Sequence, residues 1–93
     1  YNIYNYPNPF SRTTQFTFEL SAQAEISLQV YILGGRKIME FESTPFSVGY
    51  HTINWDGHDA FGGELANGVY LYKIKARGLN ATETFIGRCA KFR

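Results

Sequence analysis

The sequence predicts an all-β domain, an immunoglobulin-like sandwich of about seven antiparallel strands, and three observations carry that expectation. Apolar and polar residues alternate with period two over successive short runs, as they do where one face of a strand is buried and the other meets water. Turn-forming residues punctuate those runs at short intervals, and no stretch repeats at the helical period. Aromatic residues reach 17% of the 93 residues, with eight Phe and seven Tyr. Such side chains suit a pleated surface better than a helix.

Taken in order, Tyr4 to Phe10 contains Pro7 and Pro9, which cannot donate to a central ladder, so this stretch is expected as an edge strand or an extended lead-in. Thr14 to Leu20 places Phe16, Phe18 and Leu20 on one face and Gln15, Thr17 and Glu19 on the other. Ile26, Leu28, Val30 and Ile32 repeat the pattern after a turn at Ser21–Ala24, and this run reads as the central strand. Gly34-Gly35 is expected to take positive φ at both positions of a two-residue hairpin. A short strand around Lys37 to Glu42 follows, and Thr44 to Gly49 reads as a connection between sheets.

Tyr50 to Trp55 then turns His51, Ile53 and Trp55 inward, with Trp55 as the anchor of a core shared with Phe18, Leu28, Val30 and Tyr72. From Asp56 to Asn67 the density of Asp, Asn and Gly excludes a strand and predicts a long ordered loop. Val69 to Arg77 points Tyr70, Tyr72, Ile74 and Ala76 to one face. After the turn at Gly78-Leu79-Asn80, Thr82 to Phe92 closes the domain antiparallel to its predecessor.

Composition narrows the functional classes. The formal net charge of +1 leaves no electrostatic footprint for nucleic acid. No apolar run approaches the roughly 20 residues of a spanning helix, so membrane insertion is not expected. The chain begins at Tyr1 without a leader, and we expect residues 1–93 to form a single domain cut from a larger secreted precursor and monomeric when isolated. Cys89 is the single cysteine and cannot form an internal disulfide.

Candidate chemistry is sparse. Asp56, His58 and Asp59 could offer oxygen ligands to a hard cation, but the spacing is not that of an EF-hand, and short carboxylates in turns ordinarily accept backbone N–H groups. His51 lacks a nucleophile and an orienting carboxylate, and there is no Gly-x-Ser-x-Gly elbow. Cys89 has Arg88 and Lys91 beside it, which would depress a thiol pKa if both faced it, yet alternation turns Arg88 to the opposite face. No enzyme activity, metal or cofactor is expected. Tyr1, Tyr4, Tyr6, Tyr31 and Tyr50 allow an alternative, a non-catalytic surface module holding glycan or protein through stacked rings.

Four motifs occur in a characteristic order: Tyr6-Pro7-Asn8-Pro9-Phe10, then Val30-Tyr31 with Gly35, then Trp55-Asp56-Gly57 with Asp59, and Asn67-Gly68-Val69-Tyr70 with Tyr72 and Lys73. Together they resemble the C-terminal sorting domain of proteins exported by the type IX secretion system of Bacteroidetes, and the immunoglobulin-like module of the flagellar hook-capping protein. Around Leu65 to Lys73 the chain is also similar to the retained terminal domain of that system's gingipain-like sortase. One position departs: the family's Asp after Val-Tyr is Ile32 here.

The resemblance implies a secretion signal that directs attached cargo through the periplasm and the outer-membrane translocon to the cell surface. Its expected partners are the type IX translocon and the outer-membrane sortase components. We place recognition on the final strand, where Ile86 and Phe92 supply apolar anchors and Arg88, Lys91 and Arg93 supply charge. Pro7, Asn8, Pro9, Phe10, Trp55, Asp56, Gly57, Asp59, Gly68, Val69 and Tyr70 are expected to be structural.

Overall fold

The computed structural model describes residues 3–93, which form seven strands in two sheets. These are β1 (Ile3–Tyr6), β2 (Thr14–Leu20), β3 (Ala24–Ile32), β4 (Lys37–Phe46), β5 (Gly49–Trp55), β6 (Gly68–Arg77) and β7 (Thr82–Lys91). The first sheet has the order β1-β2-β5 and the second β4-β3-β6-β7, with every ladder antiparallel. The chain therefore changes sheet after β2, β4 and β5, while the β3–β4 and β6–β7 hairpins stay within one sheet. This is the immunoglobulin-like sandwich expected from the alternation.

The alternating residues meet between the sheets. Phe16, Phe18 and Leu20 from β2 face Ile26, Leu28 and Val30 from β3 and Tyr70, Tyr72, Ile74 and Ala76 from β6, all buried in one cluster with Trp55. Phe16 touches both Trp55 and Tyr72, at ring centroid separations of 6.2 and 4.7 Å. Removing each large apolar side chain from water contributes about 1.5–3 kcal/mol. Gly87 serves this packing by being small: a Cβ there would lie 2.5 Å from the Tyr72 ring.

Three local expectations change. At the β3–β4 turn only Gly35 takes positive φ, at 100°. The Gly35 N–H donates to the Ile32 carbonyl at 2.9 Å and the Ile32 N–H to Arg36 at 3.0 Å, so the loop is the three-residue kind, a turn closed by one left-handed residue. Strand β4 is also longer than expected, because it continues through Pro45 to Phe46. A ladder on one side only makes that proline tolerable, since β4 is an edge. The crossing between sheets is thereby reduced to Ser47 and Val48.

Candidate functional site

The sequence motifs that are far apart in the chain converge at one end of the sandwich. After β1, which pairs with β2, the segment 7–10 leaves the first sheet and lies against the last residues of β7. Both Tyr6–Pro7 and Asn8–Pro9 are cis. Asn8 clamps β7 by donating from Nδ2 to the Arg88 carbonyl and accepting the Ala90 N–H at Oδ1, each at 3.0 Å. Phe10 then completes a parallel bridge: its N–H donates to the Ala90 carbonyl at 2.8 Å, and its carbonyl accepts from Phe92 at 2.9 Å. Prolines suit this segment because their missing N–H groups would have no ladder partner.

The Phe10 ring, 2% exposed, packs tilted against Trp55 at a centroid separation of 5.5 Å, and the Trp55 indole N–H donates to the His58 carbonyl at 3.0 Å. Gly57 sits over the same ring with φ +75°, and a Cβ would come within 3.0 Å of the Arg12 carbonyl oxygen and 3.2 Å of Phe10. Glycine is required there by both conformation and space.

The loop between β5 and β6 is held by its own carboxylates. Asp56 Oδ1 accepts the His58 N–H at 3.0 Å, and Asp59 Oδ1 accepts the N–H groups of Phe61 and Gly63, each at 2.9 Å. The bonds from Gly63 and Phe61 hold the Asp59 carboxyl below the usual carboxylate range. At the far end of the loop the Tyr70 hydroxyl donates to the Ala66 carbonyl at 2.6 Å, four residues upstream. That contact has the form of the tyrosine corner of immunoglobulin-like sandwiches, and it gives the tyrosine after Val69 a structural task.

Strand β7 divides the expected recognition residues between two environments. Ile86, Arg88 and Phe92 occupy alternate outward positions and are exposed, Ile86 at 63% and Phe92 at 73%. Lys91 does not join them: it is 3% exposed, and its Nζ donates to the Leu65 carbonyl at 2.8 Å with Glu64 3.8 Å away. Arg93 pairs with Glu64, and its N–H donates to Asn67 Oδ1 at 3.1 Å. Alternation places residue 91 inward, and the loop supplies a carbonyl for its ammonium, so Lys91 closes the end of the core instead of adding surface charge. The signal for this was the odd parity of 91 relative to 86, 88 and 92.

The remaining candidates have structural surroundings. Cys89 is buried and burial pushes its thiol up to about 12, so it is protonated at neutral pH and is no nucleophile. His51 packs against Phe18 and Phe46, with Nε2 2.8 Å from the Ser47 carbonyl oxygen. Tyr4 and Tyr6 are exposed on β1 and Tyr50 on β5, Tyr31 lies on β3 of the other sheet beneath Lys73, and Tyr1 lies outside the described residues. The rings thus belong to two different faces.

Comparison with known proteins agrees with this geometry. PorU from Porphyromonas gingivalis, solved as a latent dimer, matches with a TM-score of 0.78 and 17% identity over 96% of this chain. PorZ of the same organism, an essential bacterial surface component of its type IX secretion system, matches with a TM-score of 0.65 and 25% identity over 98% of this chain. The chain spans only 9% and 11% of those two proteins. No curated protein matches it. The model of the FlgD Ig-like domain matches residues 5–80, the stretch that contains the proline segment, the Trp55 anchor and the tyrosine corner, and the chain belongs to that family.

Proposed function

We propose that this domain is the C-terminal sorting signal of a type IX cargo: a folded address carried by a larger secreted protein, acting through the periplasm and the outer-membrane translocon to reach the cell surface. The observation that carries this reading is the likeness to PorZ along nearly the whole chain, in a domain whose described residues hold no nucleophile, base and orienting group together. The isolated domain acts as a monomer with neither metal nor cofactor, and the translocon and outer-membrane sortase components are its partners. Recognition uses the outward side of β7, where Ile86 and Phe92 flank Arg88 and Lys73 stands opposite Ile86 on the neighbouring strand. An exposed apolar pair around a cation offers both an anchor and a charge to read.

The test fuses the domain to a periplasm-directed reporter in a type IX-competent cell and measures surface against periplasmic reporter, beside a strain lacking the translocon. Translocon-dependent surface delivery is expected. Replacing Ile86, Arg88 and Phe92 together by Ser should leave the melting curve nearly unchanged and strand the reporter in the periplasm. Equal surface delivery with and without the translocon would reject the reading.

A further inference from the structure

The edge of β7 is used over half its length only. The N–H or carbonyl groups of Arg88, Ala90 and Phe92 that reach Asn8 and Phe10 point away from β6. Along an uninterrupted antiparallel ladder, residues two apart present their backbone groups to the same side, and the β6–β7 register runs without a shift from Arg77↔Thr82 to Gly68↔Lys91. The backbone groups of Thr84 and Ile86 therefore also face outward. The chain's own segment 7–10 ends its cover at Arg88, β7 is the last strand of its sheet, and no hydrogen bond among the described residues reaches those groups.

Alongside this open half runs a groove of about 340 Å³ between the two sheets. It is lined by Ile3 of β1, Ile74 and Ala76 of β6, and Glu83, Thr84 and Phe85 of β7. Phe85 is 38% exposed although it points inward beside Tyr72. Glu83 has no ion pair among the described residues.

We infer that this edge and groove form a docking site for a short extended segment of a partner protein, one that adds a strand to β7 beside Thr84 and Ile86. Its inward side chains are apolar, filling the groove over Phe85, and the neighbouring inward position is basic, facing Glu83. The backbone of an extended peptide is the matching chemistry because the same edge already binds one, the segment 8–10, in the adjoining half. Strand addition supplies affinity through main-chain bonds and specificity through alternate side chains. The site stands independently of the transport reading.

The probe is a synthetic capped heptapeptide, Thr-Lys-Thr-Val-Thr-Val-Thr, titrated to about 1 mM into the isotopically labelled 93-residue chain. Chemical-shift changes and slowed amide exchange should concentrate at Thr84 and Ile86. A peptide with Glu in place of Lys should bind about fivefold more weakly, as expected for a surface ion pair. Thr84→Pro removes an outward N–H without touching the β6 ladder and should abolish binding with little change in melting. If that variant is unfolded, Glu83→Lys decides, because it should reverse the preference between the Lys and Glu peptides. Absence of binding at that concentration, protection elsewhere, or unaltered preference in Glu83→Lys would overturn the proposal. So would protection of Thr84 and Ile86 without peptide in a self-associated chain, which would make a second copy the occupant.

Discussion

Replacing Asn8 by Ala tests whether the proline segment holds the end of the sandwich closed. The side chain makes two bonds to β7, donating to Arg88 and accepting from Ala90, each at 3.0 Å. A net bond contributes about 0.5–1.5 kcal/mol, and both sites are exposed enough for water to replace part of the loss, so the cost is about 1–2 kcal/mol. For a domain of this size that lowers the melting temperature by roughly 5–15 °C. With a urea m-value of about 1 kcal/mol/M it also moves the unfolding midpoint by about 1–2 M. Asn8→Asp separates the two bonds: it keeps an acceptor for Ala90 but sets a carboxylate against the Arg88 carbonyl. Native-state hydrogen exchange gives the local readout, since the Ala90 amide should lose protection in Asn8→Ala and keep most of it in Asn8→Asp. A change below ~0.5 kcal/mol together with an unchanged Ala90 exchange rate would refute the clamp.

Other expectations follow from the same contacts. Trp55→Ala should cost about 3–5 kcal/mol in urea unfolding, because it removes a 2%-exposed ring that packs on both Phe10 and Phe16. Gly87→Ala should destabilise by about 1–3 kcal/mol, measured the same way, since its methyl would overlap the Tyr72 ring. The Cys89 thiol should resist iodoacetamide in the native state at pH 8 and react after unfolding. Its raised value also means that the folded state holds a proton the unfolded chain releases. The associated stability is therefore complete below about 9 and declines as pH rises from about 9 to about 12. A melting curve that does not fall over that alkaline range would contradict the burial of the thiol.

The strands were legible because each presents a clean inside and outside: Phe16, Phe18 and Leu20 in β2, or Tyr70, Tyr72, Ile74 and Ala76 in β6, could not be shifted by one residue without turning the whole set to water. Strand ends were less legible where an edge relaxes the rule. Pro45 reads as a breaker in isolation and is harmless on β4, which needs no N–H on its open side. Gly34 and Gly35 were both free to take positive φ, and the choice of one over two depends on the hairpin's loop length, a property of the paired strands and not of the dipeptide.

Strand β7 shows how far parity alone carries a site. Its last residues read as one basic and apolar cluster when taken as a string, yet period two assigns 86, 88 and 92 to the outer face and 85 and 91 to the inner one. What the string could not supply was the partner for an inward lysine. Burial of an unpaired ammonium would be prohibitive, so an inward Lys91 demands an acceptor, and the Leu65 carbonyl with nearby Glu64 comes from a loop more than twenty residues upstream. The same dependence makes the end of the chain structural. Removing Lys91 to Arg93 would delete that bond, the Phe92 bridge to Phe10 and the contacts of Arg93 with Glu64 and Asn67, so such a truncation loosens the closed end of the sandwich as well as trimming its surface. Outward substitutions at Ile86, Arg88 and Phe92 therefore separate recognition from folding, because these side chains reach solvent while the backbone groups of Arg88, Ala90 and Phe92 keep the bonds that fasten β7 to the proline segment.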